Sequence, residues 1–318
     1  MILITGGLGF IGLNTARALL ELGEECVLTQ HQVARRPDFI KAALGKQVFI
    51  EQVDITDLSA LLEIGKRHNI THIIHLGGPG IGALDLFENL RVSMQMLFNV
   101  VEAAKEWGVK RVSIASAIGV YIGIQDNPFR EEVPLPMSAV HPIQTVKKSS
   151  ELFATFVGNQ TGIEVVNMRI GAIWGPLGRA QSSFFLTPRL VHAAVKGETL
   201  DFSLPQFPPY AEDGLDMCYV KDCGRAIALL QTTPKLNYST YNIGSGYATS
   251  NNELVQAVKK VIPEIKIELA EGYDPRGAGQ RLYLDTTRLR QDTGFEPTYT
   301  IESGIADYID WLRKGNER

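Results

Sequence analysis

Cysteine is scarce in this chain, and long apolar runs are missing. The three cysteines are Cys26, Cys218 and Cys223. None stands in a CxxC or zinc-type spacing, so no metal knuckle or redox dithiol is encoded, and a reducing, cytoplasmic setting is expected. No apolar stretch reaches the ~18 residues that a membrane helix requires. Long basic blocks are absent too, and a net charge of −4 argues against a dedicated nucleic-acid binder. Met1–Thr5 enters an apolar run with no basic region before it, which does not read as a signal peptide. Repeats and low-complexity segments are also missing. What remains is a chain of 318 residues that is 45% hydrophobic and 21% charged, sufficient for one large domain or two small ones with a sizeable core.

Short apolar runs alternate with helical patterns through the first half. Strands are expected at Met1–Thr5, Cys26–Thr29, Gln47–Val53, His72–Leu76, Arg111–Ala115 and Glu164–Ile170. Helices are expected at Phe10–Leu22 (stopping at Gly23), Thr56–Asn69 with Thr56 as N-cap, Leu86–Trp107 and Thr145–Gln160. Six strands joined by helical crossovers imply an α/β fold with a doubly wound parallel sheet. After Arg169 prolines become frequent and strands short, with helices at Val220–Gln231, Asn252–Val261 and Ile301–Arg313. This part reads as a smaller mixed α/β lobe.

The strongest local signal is Thr5-Gly6-Gly7-Leu8-Gly9-Phe10-Ile11-Gly12. Gly6, Gly9 and Gly12 follow a strand and open a helix. Glycines there allow a tight turn and close approach of a pyrophosphate, and the first helical residues, Phe10 and Ile11, present free N–H groups to it. The alternative is a sharp strand–helix turn with no ligand. An acidic residue for the adenosine ribose is missing at the end of the second strand, where Thr29-Gln30-His31 stands, and Arg35 and Arg36 follow. Without the carboxylate a 2′-phosphate is tolerated, and a nearby arginine would pair with it. That leans from NAD toward NADP, unless both arginines belong to a solvated loop.

With these residues the chain resembles the extended short-chain dehydrogenase/reductases of the NAD-dependent epimerase/dehydratase family, nearly end to end. Val53-Asp54-Ile55-Thr56-Asp57 is similar to the family's adenine-contacting turn. His75-Leu76-Gly77-Gly78 resembles its cofactor-lining segment, Val120-Tyr121 its "VYG", and Arg169, Gly175 and Pro176 its "RP…YGP". Tyr219-Val220-Lys221-Asp222, Tyr241-Asn242-Ile243-Gly244, Leu284-Asp285 and Gly294-Phe295-Glu296-Pro297 fit later landmarks. The resemblance implies a Rossmann-type NAD(P)-binding domain over 1–172 and a substrate lobe over 173–318, the chain returning to the first domain around 216–248. It also implies a homodimer built on the two long helices.

The departures concern chemistry. The family uses a tyrosine four residues before a lysine, with a serine or threonine nearby. Here Lys147 and Glu151 fit, but Ile143 takes the tyrosine position, or Gln144 if the register is set on Lys148. Ala117 takes the serine position, with Ser116 beside it. Candidate replacement acids or bases are Tyr121, His141, Lys147 and Ser116. Against each stands a plainer role: pocket edge for Tyr121, surface loop for His141, cofactor ribose contact or solvated helix for Lys147, strand-end capping for Ser116. Arginines that clamp a nucleotide diphosphate in relatives are replaced by Leu215 and Gln280, with Arg281 adjacent to the latter. The aromatic segment Phe202-Ser203-Leu204-Pro205-Gln206-Phe207-Pro208-Pro209-Tyr210 lies between.

The expected function is therefore an NAD(P)-dependent oxidoreductase, epimerase or dehydratase with an altered site. Its expected substrate is a small non-nucleotide molecule with apolar or aromatic surface, and no metal is expected. The alternatives are a catalytically silent NAD(P)-binding sensor or scaffold, and a nucleotide-sugar epimerase or dehydratase.

Overall fold

A computed structural model describes residues 1–316, except 33, 81, 181–185, 199, 201–209 and 276–280. The first half runs β1 (Ile2–Thr5), α1 (Phe10–Glu21), β2 (Cys26–Gln30), α2 (Asp38–Lys41) and β3 (Val48–Gln52). It continues with α3 (Leu58–Arg67), β4 (His72–His75), α4 (Leu86–Glu106), β5 (Arg111–Ala117), α5 (Pro142–Thr161) and β6 (Glu164–Ile170). The second half contains β7 (Ala172–Trp174), α6 (Leu186–Lys196), β8 (Gly214–Tyr219), α7 (Val220–Thr232), β9 (Thr240–Ile243) and β10 (Ala248–Ser250). Three helices end the chain, α8 (Asn251–Val261), α9 (Thr287–Thr293) and α10 (Ile301–Arg313).

Seven parallel strands form the main sheet in the order β3-β2-β1-β4-β5-β6-β9. Strand side chains alternate between two cores, as the two-residue period requires. Ile2 and Ile4 face the core shared with α1 and α7, whereas Leu3 faces the core shared with α3, α4 and α5. The order reverses between β1 and β4, and in such sheets ligands bind outside the carboxyl ends at that point. A three-stranded sheet, β10-β8-β7, carries the second lobe, whose core includes Trp174, Tyr219, Leu190, Leu254, Ile305 and Tyr308. Asp216, fully buried, fastens this lobe by accepting from Ser245 N (2.6 Å), Ser245 Oγ (2.8 Å), Gly246 N (3.2 Å) and Leu284 N (3.2 Å).

Two expectations about helix starts are corrected. Asp57, not Thr56, caps α3 by accepting from Ala60 N at 3.0 Å, because the Thr56 hydroxyl is drawn back to Asp54. Helix α5 begins at Pro142 rather than Thr145. Proline suits the first helical position, where its missing N–H has no partner to lose, and His141 caps the end. The six strands read from the sequence are joined in the main sheet by a seventh, β9.

Candidate cofactor cleft and active site

Gly6 turns the chain sharply after β1, with φ at +67°. Its N–H donates to Thr29 Oγ1 at 3.0 Å, and its carbonyl accepts from Gly9 N at 2.8 Å. A Cβ at Gly6 would lie 3.0 Å from Gly77 Cα, so the loops after β1 and β4 touch at the reversal point of the sheet. At Gly12 a Cβ would overlap the Gly6 carbonyl. Gly9 is the N-cap of α1, and no side chain caps that end. The cradle is thus bare backbone with free N–H groups at a positive helix terminus, which fits a dinucleotide pyrophosphate.

The other cofactor candidates line the same cleft. The Thr5 hydroxyl accepts from Gly77 N at 3.2 Å and shares a 2.7 Å hydrogen bond with His75 Nδ1. Leu76 N donates to Thr5 O at 3.2 Å, and a Cβ on Gly78 would meet open space. Burial holds the His75 pKa down at about 3, and the Lys147 charge pushes the same way, so the ring is neutral. Asp54 accepts from Thr56 Oγ1 (2.7 Å) and Thr56 N (2.9 Å), and these bonds keep its carboxyl below the usual range despite partial burial. Ile55 is buried and its carbonyl accepts from Asn99 Nδ2 at 2.8 Å.

At the end of β2, Gln30 Oε1 accepts from Arg36 Nη2 at 2.9 Å. Arg35 turns the other way, with Nη1 3.4 Å from Leu8 O above the glycine loop. The two arginines expected to act together therefore face different parts of the cleft.

At the far side the four candidate acids or bases have distinct surroundings. Tyr121 is fully buried, its ring stacked on Phe129 at 4.8 Å. Its hydroxyl donates to Asn242 Oδ1 at 2.8 Å and accepts from Arg169 Nη1 at 2.9 Å. Burial pushes its pKa up to about 12. This corrects its expected place at the pocket edge: the phenol is an interior strut whose partners are already chosen. Ser116 is likewise buried and donates to Glu151. Glu151 in turn is gripped by Arg169, through Nε at 3.0 and 3.2 Å and Nη2 at 2.8 Å. His141 is exposed and accepts from Ile143 N at 3.2 Å through Nδ1, which makes it the cap of α5.

Lys147 remains. Its ammonium donates to Ala115 O at 2.6 Å, at the carboxyl end of β5. Burial lowers its pKa to about 8, and Glu151 pulls the other way. Ile143 is half-buried one turn earlier on α5. Gln144, the residue at the tyrosine position in the alternative register, is buried and ties the preceding loop. Its Oε1 accepts from Val140 N at 2.9 Å and its Nε2 donates to Ile122 O at 3.4 Å. Lys148 adds donations to Ser138 O at 2.9 Å and to Pro136 O. These ties hold the exposed apolar side chains Ile122, Met137 and Val140 beside the first turns of α5.

In the second lobe, Leu215 lies on β8 and Arg281 pairs with Glu212 at 2.8 Å. Gln280 and residues 202–209 lie outside the described residues. Thr5 and Asn242 enter the sequence reading only inside motifs, with no site role of their own, and Arg179 does not enter it. Asn242 receives the Tyr121 hydroxyl, Thr5 holds His75, and Arg179 reaches over the glycine loop toward Gly80. The partners of the first two come from distant segments, and Arg179 sits in a loop far from the glycines in sequence. Among the described residues no helix is long and apolar enough to cross a membrane, and no group of His, Cys, Asp and Glu gathers as a metal site.

The chain is similar along its length to proteins of one kind. A UDP-glucuronate 4-epimerase of Thermodesulfobacterium geofontis is 25% identical, over 99% of this chain and 97% of that protein. A dTDP-glucose 4,6-dehydratase of Streptomyces griseus is 26% identical, over 98% and 94%. Among solved structures, the UDP-glucose 4-epimerase of Thermotoga maritima with UDP-glucose superposes with a TM-score of 0.81 at 23% identity, covering 99% of each chain. The Thermus thermophilus UDP-glucose 4-epimerase complexed with NAD gives 0.79 at 22%, covering 98% of each. Residues 2–244 match the model of the NAD dependent epimerase/dehydratase family. The glycine turn at the sheet reversal and this match over most of the chain place the protein in the NAD-dependent epimerase/dehydratase family of enzymes.

Proposed function

We propose that this enzyme binds a nicotinamide dinucleotide along the β1–β4 crevice and interconverts a hydroxyl and a carbonyl on a substrate with an apolar face. When bound, the nicotinamide supplies hydride acceptance and donation. Gly6, Gly9 and Gly12 would hold the pyrophosphate, Asp54 and Ile55 the adenine, Leu76, Gly77 and Gly78 the middle of the cofactor, and Lys147 the ribose next to the nicotinamide. NADP is preferred over NAD, because Gln30 brings no carboxylate to the ribose end and holds Arg36 there at 2.9 Å.

The observation that carries the reading is the setting of Lys147. Its ammonium is held by a main-chain carbonyl, while the neighbouring carboxylate of Glu151 is engaged by Arg169 and Ser116. A lysine with its pKa near 8 exchanges protons readily at physiological pH. In its neutral form Lys147 accepts the proton as a substrate hydroxyl becomes a carbonyl. The ammonium returns it in the reverse direction. Ile143, with Ile122, Met137 and Val140 around the mouth, favours a substrate that buries apolar surface there.

A second reading, turnover of a nucleotide sugar, is favoured by the names of the relatives. Calorimetry with NAD, NADH, NADP and NADPH tests the first step, and failure to bind any of them removes the proposal. Single-turnover absorbance at the reduced-nicotinamide band then compares aryl- and alkyl-substituted secondary alcohols with UDP-glucuronate, UDP-glucose and dTDP-glucose. Faster reduction with a sugar nucleotide selects the second reading. Binding without turnover of any compound would point to a sensor.

The face of α4 and α5 exposes Phe87, Phe98, Leu152, Phe153 and Phe156, with Phe98 and Phe153 in edge contact at 5.5 Å. We assign this apolar face to a twofold pairing of identical chains. Light scattering of Phe153→Asp should report monomer where the unmodified protein reports dimer. The buried, free cysteines suit a cytoplasmic location.

A further inference from the structure

Resting on the dinucleotide reading, a second question is which cations of this chain face the phosphates. Two arginines from opposite lobes approach each other over the glycine loop. Arg35 leans back from the segment after β2 to Leu8 O, 3.4 Å away. Arg179 follows β7 and borders the loop after β4: a Cβ on Gly80 would lie 3.1 Å from its Nη2. Gly178 sits against Phe10, the first residue of α1, with 3.3 Å between its Cβ position and the ring. Leu177, buried and at a φ of +73°, holds the left-handed turn that delivers Arg179 there.

Neither arginine pairs with a carboxylate among the described residues. Their charges oppose each other instead. Burial lowers the pKa of the half-buried Arg35, and Arg179 lowers it further. The α1 terminus below them is positive and uncapped by any side chain. Three positive elements at one place repel unless an anion completes the arrangement. Arg36, by contrast, is occupied with Gln30 at the adenosine end.

We propose that Arg35 and Arg179 close as a two-armed clamp on the cofactor pyrophosphate, one arm from each lobe. The two phosphate charges neutralise two guanidinium groups whose planar forks suit phosphate oxygens. Dinucleotide binding thereby draws the second lobe onto the glycine loop.

The test uses the intact protein and three probes: adenosine, ADP-ribose and NADH, measured by calorimetry at low and high salt. Arg35→Ala and Arg179→Ala should each weaken ADP-ribose and NADH about tenfold, the usual scale for a charge-assisted hydrogen bond. Both should flatten the salt dependence and leave adenosine unchanged. Arg179→Lys should fall between the wild type and Arg179→Ala, because it keeps the charge and loses the fork. Arg313→Ala, on the exposed end of α10, should change nothing. Without ligand, Arg179→Ala should melt no lower than the wild type, since it removes a repulsion; an early melt would mean that the arm is structural and would overturn the clamp. So would wild-type affinity for ADP-ribose in Arg179→Ala, or an Arg35→Ala effect confined to the NADPH/NADH ratio. Should the wild type bind no dinucleotide, the functional reading falls as well; binding with unaffected variants removes the clamp alone.

Discussion

The two sides of the cleft are made from different materials. Around β1 and β4 the site is main chain: glycines, free N–H groups and a helix terminus, with few side chains to substitute. Around β5 and α5 it is side chains, and there Ile143 and Ala117 stand where the resemblance leads one to expect a tyrosine and a serine. Yet the scaffold behind those positions is intact. Ser116, Glu151, Arg169, Tyr121 and Asn242 form one buried hydrogen-bonded chain from α5 to β9. Chemistry and support are thus separable here. On the proposed reading, the groups that exchange protons change while the network that supports the helix stays.

The comparison breaks most sharply on the backbone side. Gly9→Val brings a Cβ within 2.9 Å of Gly6 O and fills the space proposed for the phosphates. Dinucleotide binding should weaken by at least ~100-fold, with a lower melting temperature as well because the Gly6 carbonyl must give way. Retention of near-normal affinity in calorimetry would mean that the cradle is not the binding site.

On the side-chain side, the supporting network should dominate stability. Arg169→Met leaves the Glu151 carboxylate buried and unpaired, which destabilises by about 3–5 kcal/mol. Urea unfolding measures it. A loss as small as that of an exposed salt bridge would show that the network is not a structural spine.

A pH titration sharpens the contrast further. His75 has its pKa lowered to about 3 from 6.5. Between those values the unfolded chain binds the proton that the folded chain refuses, so stability falls as pH drops from 6.5 toward 3. Lys147, lowered to about 8 from 10.5, acts in the same sense at higher pH: stability rises from pH 8 to 10.5. His75→Gln should flatten the acid limb and leave the alkaline one, and Lys147→Met the reverse. Unchanged limbs in both variants would refute the assignments.

The smallest effect is expected at the mouth. Lys148→Ala removes donations to Pro136 O and Ser138 O from a half-buried side chain. Global stability should change by about 1 kcal/mol or less. Limited proteolysis within 122–141 should nevertheless accelerate, because local opening of that loop becomes easier. An unchanged cleavage rate would mean that Gln144 alone holds it.

Local pattern revealed much of this molecule. The glycine spacing, the alternation of strands with helices, and an isoleucine four residues before Lys147 are visible because each depends on residues near one another in sequence. The expected start of α5 at Thr145 came three residues late, although a proline is favourable at the first helical position, where Pro142 stands. By itself, the sequence determined the parallel sheet, the place of the glycine turn at the sheet reversal and the absence of a phenol at position 143. Tertiary structure decided which polar groups remained available. Tyr121 could be read as a candidate acid until Asn242, 121 positions later, took its proton and Arg169 its lone pair. Arg179 had no signal until a buried left-handed Leu177 brought it over the glycine loop. The physical reason is the same in both cases. Burial and hydrogen-bond partners fix what an ionisable group can do, and those partners are supplied by chain segments that only folding brings together.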